Sequence, residues 1–472
     1  MNAIREHVER VWSDDITPAL QRYIAIPNVS ISYDADWEAH GYMGDAVELV
    51  REWCASRPID GITVDVHRIP GRTPLILVEV PASNSALADR TVLLYGHLDK
   101  QPEMTGWRDG LGPWTPVLEG DRLYGRGGAD DGYAAFAALL AIEVAQAHRL
   151  DHARLVVLIE ASEESGSPDL PAHLDRLGAI LGRPELVICL DSWAADAERL
   201  WVTTSLRGLV GCTVTVEVLT EGVHSGSASG IVPSSFRILR RLLDRIEDAS
   251  TGEVLVREAH VDIPADRHAE ATATAAELGP LTRMFPFTGS TRPMFDDAIE
   301  QILARTWRPT VSYVGADGFP PTSRAGNVVR PSTALAVSMR LPPTADPEAV
   351  YAALERTLSA EPPYGATVTI SGKEVAAGWN APPFAPWLAA GLDTVSNAAF
   401  GAPARTIGEG GTIPFMGMLG AMFPAAQFVI TGVLVPGSNA HGPNEFLHLP
   451  TARRVTECVA GLLAAHAVSP PA

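Results

Sequence analysis

TVLLY at residues 91–95, AAFAALLAIEVAQAHRL at 134–150 and RLVVLIE at 154–160 decide the fold of this chain. The first and third are largely apolar runs of strand length, the pattern of strands covered on both faces. The stretch between them is a strong helical segment. A helix linking two buried strands is a βαβ unit, which implies parallel strands in a layered α/β domain. ELVICL at 185–190 reads as a third buried strand. The fold expected is a mixed, mainly parallel sheet with helices on both faces.

Working outward, each of these strands runs into a phrase rich in metal-binding side chains. YGHLDKQP from Tyr95 carries His97, EASEESG from Glu160 carries Glu163 and Glu164, and CLDS from Cys189 carries Asp191. GRGGADD from Gly125 supplies Asp130 ahead of the helix, and NAHGPNE from Asn439 supplies His441. Ligands in open α/β sheets collect at the carboxyl ends of strands, so phrases distant in sequence converge on one edge. Two imidazoles, three carboxylates and an adjacent extra glutamate are what a pair of divalent cations needs: end-on histidines, one bridging carboxylate, one further carboxylate per ion, and a base for water. Zinc fits these donors, with manganese as the alternative.

From about residue 208 the pattern changes. VGCTVTVEVL at 210–219 alternates like a half-exposed strand, and PSSFRILRRLLDRIED at 233–248 reads as an amphipathic helix. Strands at 310–314 and 333–341, a helix at 346–360 and a strand at 366–371 follow, giving the order β-α-β-β-α-β of a ferredoxin-like sandwich. Residues 250–308 read as a loop holding short helices. After WNAPPFAPW at 379–387 the first pattern resumes, with a helix at 387–400, a strand at 427–434 and a closing helix at 450–465. The boundaries expected are a discontinuous catalytic domain, 1–206 with 383–472, and an inserted domain, 207–382.

At 472 residues, two domains are the default. A net charge of −20 argues against nucleic acid and anionic membrane surfaces as partners. The longest apolar stretch is too short to span a bilayer. MNAIREHVERVW at the start lacks the pattern of a signal peptide, so a cytoplasmic protein is expected. The four cysteines, none in a C-x-x-C, read as buried free thiols.

These phrases resemble the dinuclear zinc exopeptidases: aminoacylase, glutamate carboxypeptidase and, with the strongest likeness, the carnosinase-type dipeptidases. The likeness rests on G-H-x-D-x-Q-P, D-x-L-Y-G-R-G, E-E-S-G-S, H-S-G and E-G-G-T-I-P in this order, and runs from about residue 20 to the end. It implies that His97 and His441 bind one cation each, that Asp130 bridges them, and that Glu164 and Asp191 complete the set. It makes Glu163 the general base and Asp99 the carboxylate that orients the His97 imidazole. It also implies a cis Asp130–Asp131 peptide. The inserted domain becomes a lid that carries the dimer contact. His224 would reach the partner subunit's site to stabilise an oxyanion, with Asn327 assisting. Arg340 would pair with the substrate's terminal carboxylate, approached by the backbone of Gly410, Gly411 and Thr412.

The implied activity is metal-dependent hydrolysis of dipeptides or other small peptides with a free C-terminal carboxylate. A deacylase, desuccinylase or N-carbamoyl amidohydrolase acting on N-acyl amino acids would use the same centre. A non-catalytic binding protein is a third reading, which loss of a ligand or of the base would mark. One departure stands out. The resemblance predicts lysine after the double aspartate, and this chain has Gly132 followed by Tyr133.

Overall fold

The computed structural model describes residues 2–470. The chain forms two compact units, the first made of residues 1–203, 381–406 and 418–472 and the second of 204–380 and 407–417. Among the described residues no helix is long and apolar enough to cross a membrane.

In the first unit the strands run in the order Thr63–His67, Leu75–Val80, Arg154–Glu160, Thr91–His97, Leu186–Cys189, Gln427–Ile430 and Trp201–Leu206. The four at the centre, from Arg154–Glu160 to Gln427–Ile430, are parallel. The flanking pairs are antiparallel, which makes the sheet mixed as the sequence predicts. Every residue of Thr91–His97 is buried, which is why this strand carries no polar alternation. Helix Tyr133–Ala147 is buried from Tyr133 to Ala145. It shares one core with the amino-terminal residues Val8 and Trp12 and with helix Leu449–Ala467. Trp12 satisfies its indole N–H there by donating to Thr456 Oγ1 at 3.1 Å.

The edges of this unit escape the sequence reading. Thr63–His67 is a half-exposed outer strand. The three-stranded ribbon of Val117–Glu119, Arg122–Tyr124 and Phe446–His448 has strands too short to show a period.

The second unit has the expected order, with Gly208–Glu217, helix Ser235–Leu243, Thr310–Asp317, Ser332–Leu341, helix Pro347–Ser359 and Thr367–Ala376. Its sheet runs Thr310–Asp317, Ser332–Leu341, Gly208–Glu217, Thr367–Ala376, antiparallel throughout. The stretch read as a loop with short helices holds Ala265–Leu278, a helix of 14 residues. Only three of its side chains are buried, so its apolar period is weak in the sequence. All four cysteines are free and buried.

Candidate metal centre

His97 ends the strand Thr91–His97, and its position depends on the glycine before it. A Cβ on Gly96 would lie 2.5 Å from Ala134 Cβ and 2.7 Å from Asp131 Oδ2, so only glycine lets the helix start pack against this strand end. The His97 ring is fully buried. Its Nδ1 lies 3.1 Å from the Asp99 carbonyl oxygen, which fixes the N–H on that nitrogen and aims Nε2 the other way. Nε2 is buried and has no hydrogen-bond partner among the described residues. It sits 3.5 Å from Asp130 Oδ1, 3.8 Å from Asp191 Oδ2 and 4.0 Å from Glu163 Oε2.

Asp130 turns its second oxygen elsewhere. Its Oδ2 is 2.9 Å from His441 Nε2, and Glu164 Oε2 is 3.3 Å from the same nitrogen. Two donor groups result, His97–Asp130–Asp191 and Asp130–Glu164–His441, with Asp130 common to both. Ligand atoms held at about 2.0–2.2 Å in a tetrahedron lie about 3.3–3.6 Å apart, so both groups fit a zinc-sized ion. An orphaned, buried imidazole nitrogen facing three carboxylates is the arrangement a cation would satisfy.

The backbone around these groups is specialised. The Asp130–Asp131 peptide is cis. His441 has φ +63°, a left-handed conformation that a residue with a Cβ adopts at a cost of about 1–2 kcal/mol. A left-handed residue of this kind is found where a side chain must be aimed at a site. Two further contacts lock the His441 loop. Arg126 Nη1 donates to Glu445 Oε2 at 2.5 Å and Arg126 Nη2 to the Gly442 carbonyl at 2.9 Å. Glu445 Oε1 accepts from the Gly127 N–H at 2.9 Å, tying this loop to the one that carries Asp130.

Burial first, then the charge of Asp191, pushes the Glu163 carboxyl well above the usual carboxylate range. Glu164 is also raised, by burial and then by Asp130, although Gln101 Nε2 donates to its Oε2 at 2.7 Å. For Asp130, burial opposes the charge, but the His441 and His97 imidazoles outweigh it and hold this carboxyl below its ordinary range. Asp130 is thus favoured as the anion, whereas the settings of Glu163 and Glu164 both favour the protonated form.

Asp99 does more than face an imidazole. Its carboxylate is 3.4 Å from His97 Nδ1, farther than its own carbonyl. Its two oxygens accept the Glu163 and Glu164 N–H groups, each at 3.0 Å. One buried side chain therefore sets the turn that presents both glutamates.

The remaining predicted residues lie in the second unit. His224 and Asn327 are neighbours: Val223–His224 pairs with Val328–Val329, and the Ser225 N–H donates to the Asn327 carbonyl at 2.8 Å. His224 is exposed, and its Nδ1 accepts the Gly226 N–H at 3.2 Å, which leaves Nε2 as the outward nitrogen. Arg340 Nη1 donates to Thr412 Oγ1 at 2.9 Å, so the structure brings Arg340 and the Gly410–Thr412 turn together.

Gln101, Arg126 and Glu445 are the supporting groups that sequence reasoning left without a role, although Gln101, Arg126 and Glu445 all stand inside the phrases that named the ligands. Lys100 and Tyr133, which stand close to the ligands in sequence, are fully buried. Lys100 Nζ donates to the Tyr23 and Ile26 carbonyls at 2.8 and 2.7 Å and closes a helix end, while the Tyr133 hydroxyl donates to the Leu190 carbonyl. The missing lysine has a packing reason as well. A Cβ at Gly132 would lie 2.2 Å from Tyr23 Cε1 and 2.6 Å from the Gly127 carbonyl oxygen.

Comparison with known proteins gives the family. The model of Peptidase family M20/M25/M40 matches residues 93–465. The cysteinylglycine-S-conjugate dipeptidase of Corynebacterium striatum is 27% identical over 410 residues, 85% of this chain and 86% of that one. Among solved structures, the dipeptidase Dug1p of Saccharomyces cerevisiae superposes with a TM-score of 0.78 at 21% identity, covering 100% of this chain and 99% of that one. The metallo-carboxypeptidase Sso-CP2 of Sulfolobus solfataricus gives 0.79 at 19%, over 97% and 100% of the two chains. The chain belongs to Peptidase family M20/M25/M40 and is a metallopeptidase.

Proposed function

We propose that the protein hydrolyses the amide bond of dipeptides, using two divalent cations, zinc in the first instance. One observation carries this reading: a single buried carboxylate, Asp130, is shared by two histidine-and-carboxylate groups, with the Glu163 carboxyl beside them. His97 and Asp191 would hold one ion, Glu164 and His441 the other, and Asp130 both. Bound there, the cations would supply Lewis acidity toward a carbonyl oxygen and acidify water.

The chain's own groups do the rest. Glu163, whose Oε2 lies 4.0 Å from His97 Nε2, accepts a proton from water and returns it to the leaving amine. Arg340 and the Gly410–Thr412 turn receive the C-terminal carboxylate, which would give a preference for free-acid substrates. Asn327 and His224 serve the developing oxyanion, His224 from the partner of a homodimer. A dimer formed through the second unit is supported by its sheet edge, Thr310–Asp317, where Tyr313 and Val314 are 42% and 69% exposed. Work in the cytoplasm suits the four free thiols.

The presence of dipeptidases among its relatives supports the dipeptide reading over the N-acyl amino acid one. The test is a panel of dipeptides with N-acetyl and N-succinyl amino acids, assayed after chelation and again with added Zn²⁺ or Mn²⁺, with Glu163→Gln in parallel. Metal-dependent cleavage of dipeptides that Glu163→Gln abolishes is the expected outcome. Turnover of acyl substrates alone would make the protein a deacylase.

A further inference from the structure

Arg207 is the residue on which the Gly410–Thr412 turn is built, and nothing above gives it a role. Its backbone N–H donates to the Gly411 carbonyl at 3.0 Å, and its Nε donates to the Gly410 carbonyl at 3.0 Å. Its own carbonyl accepts the Thr412 hydroxyl at 2.6 Å. Nη1 donates to Thr310 Oγ1 at 3.0 Å, and Thr310 is the cross-strand partner of Arg340. One residue thus touches all three members of the turn and the strand neighbour of Arg340.

The polarity of Thr412 follows. A hydroxyl has one hydrogen, and here it goes to the Arg207 carbonyl. Its lone pairs can then only accept, and they accept from Arg340 Nη1 at 2.9 Å. That bond uses one of the five N–H donors of a guanidinium, so it orients the Arg340 fork without exhausting it.

We propose that Arg207 is a positioning residue for substrate binding: through the Gly410–Thr412 turn and the Thr412 hydroxyl it aims Arg340 at the substrate's C-terminal carboxylate. The proposal rests on the reading above that Arg340 receives that carboxylate.

Packing and charge agree with it. A Cβ at Gly410 would meet Arg305 Cγ and the Arg305 carbonyl oxygen at 3.2 Å each and Arg207 Nη2 at 3.3 Å, so the turn lies closely against both arginines. Burial, then repulsion from Arg340 and Arg305, depresses the pKa of Arg207. Burial lowers the pKa of Arg340 as well, against the opposing pull of the Glu374 and Glu409 carboxylates. Three cations facing two carboxylates leave a site that a bound carboxylate would neutralise. Lysine could not replace Arg207, because a single ammonium cannot reach the Gly410 carbonyl and Thr310 with the fixed spacing of a planar fork.

The experiment compares a dipeptide with the same dipeptide C-terminally amidated, in the metal-loaded full-length enzyme. The variants are Arg207→Gln, Arg207→Lys, Thr412→Val, Thr412→Ser and Arg340→Lys. Arg207→Gln and Thr412→Val should each raise KM for the free acid about tenfold, with a smaller change in kcat and little change in the rate on the amide. Thr412→Ser should restore the wild-type preference for acid over amide, and Arg207→Lys should not. Combining Arg207→Gln with Arg340→Lys should cost less than the two separate losses together. If Arg340→Lys erases the acid preference while Arg207→Gln and Thr412→Val keep it, the positioning role is wrong and the carboxylate reading stands. If Arg340→Lys itself leaves the preference intact, both fall. Should Arg207→Gln fail to fold, Thr412→Val and Thr412→Ser decide alone.

Discussion

Replacing Asp99 by asparagine tests the construction of the metal centre with one change of atom type. The buried Asp99 carboxylate accepts two main-chain N–H groups, from Glu163 and Glu164, each at 3.0 Å. Hydrogen bonds to a charged acceptor contribute about 1.5–3 kcal/mol each. Asparagine keeps one acceptor oxygen, so one bond survives at the neutral value of about 1 kcal/mol. Its amide NH₂ opposes the second N–H and leaves a buried donor unmade. Two bonds of about 2 kcal/mol, less the one retained, give a loss of about 3 kcal/mol in the metal-loaded protein. The metal-free protein should lose less, because Asp99 also repels Glu163 and Glu164 and that repulsion disappears with its charge. The gap between the two losses is a fall in metal affinity, of about 10–100-fold by the usual weight of groups behind the ligands. Urea unfolding with and without chelator, together with calorimetric metal titration, measures both. A variant within about 0.5 kcal/mol of wild type in both states, with unchanged metal affinity, would refute the assignment of Asp99 as the hub of the turn.

Glu163→Gln should lower kcat by about 10²–10⁴-fold while metal content by elemental analysis stays at the wild-type value, which separates the base from the ligands. His441→Ala should retain one cation per chain and Asp130→Asn should impair both, since only Asp130 belongs to both donor groups. Gly132→Lys, which restores the residue expected from the resemblance, should lower the melting temperature, because its Cβ would meet Tyr23 Cε1 at 2.2 Å. His466 gives a pH signature far from the metals: burial first, then the charge of Arg90, lowers its pKa to about 4. Its neutral form is favoured in the folded chain, so that contribution to stability is complete above about pH 6.5 and fades as the pH falls toward about 4. Over that window the wild type should lose about 1.4 kcal/mol per pH unit more than His466→Gln in urea unfolding.

The parts of this protein that can be read from its sequence are those where one physical demand dominates. Thr91–His97 and Arg154–Glu160 are covered on both faces, so an apolar run is all they can be. The ligand phrases are legible because a cation restricts the side chains that can replace them. Thr63–His67 and Phe446–His448 were not legible, the first being half exposed and the second having its partner, Arg122–Tyr124, in a distant part of the chain. Gln101 and the Arg126–Glu445 pair lay in view without a role, because their work is to hold other groups and depends on distances that spacing does not encode. Arg207 carried no signal at all. It is an ordinary arginine in TSLRG until its three bonds to one turn are seen.

The two donor groups are not equally sheltered. The His97 side chain is fully buried and Asp191 is 11% exposed, whereas His441 is 56% exposed at the open side of the second group. Displacing the His441 loop would remove one ligand of the second group, whereas His97 ends a central strand and is harder to move. Release to a chelator should therefore run in two phases, the outer ion first and the inner one at the pace of deeper opening. A preparation stripped briefly and refilled with a different metal would then carry two kinds of ion in a fixed order, inner original and outer replacement, which makes the centre open to selective spectroscopic labelling.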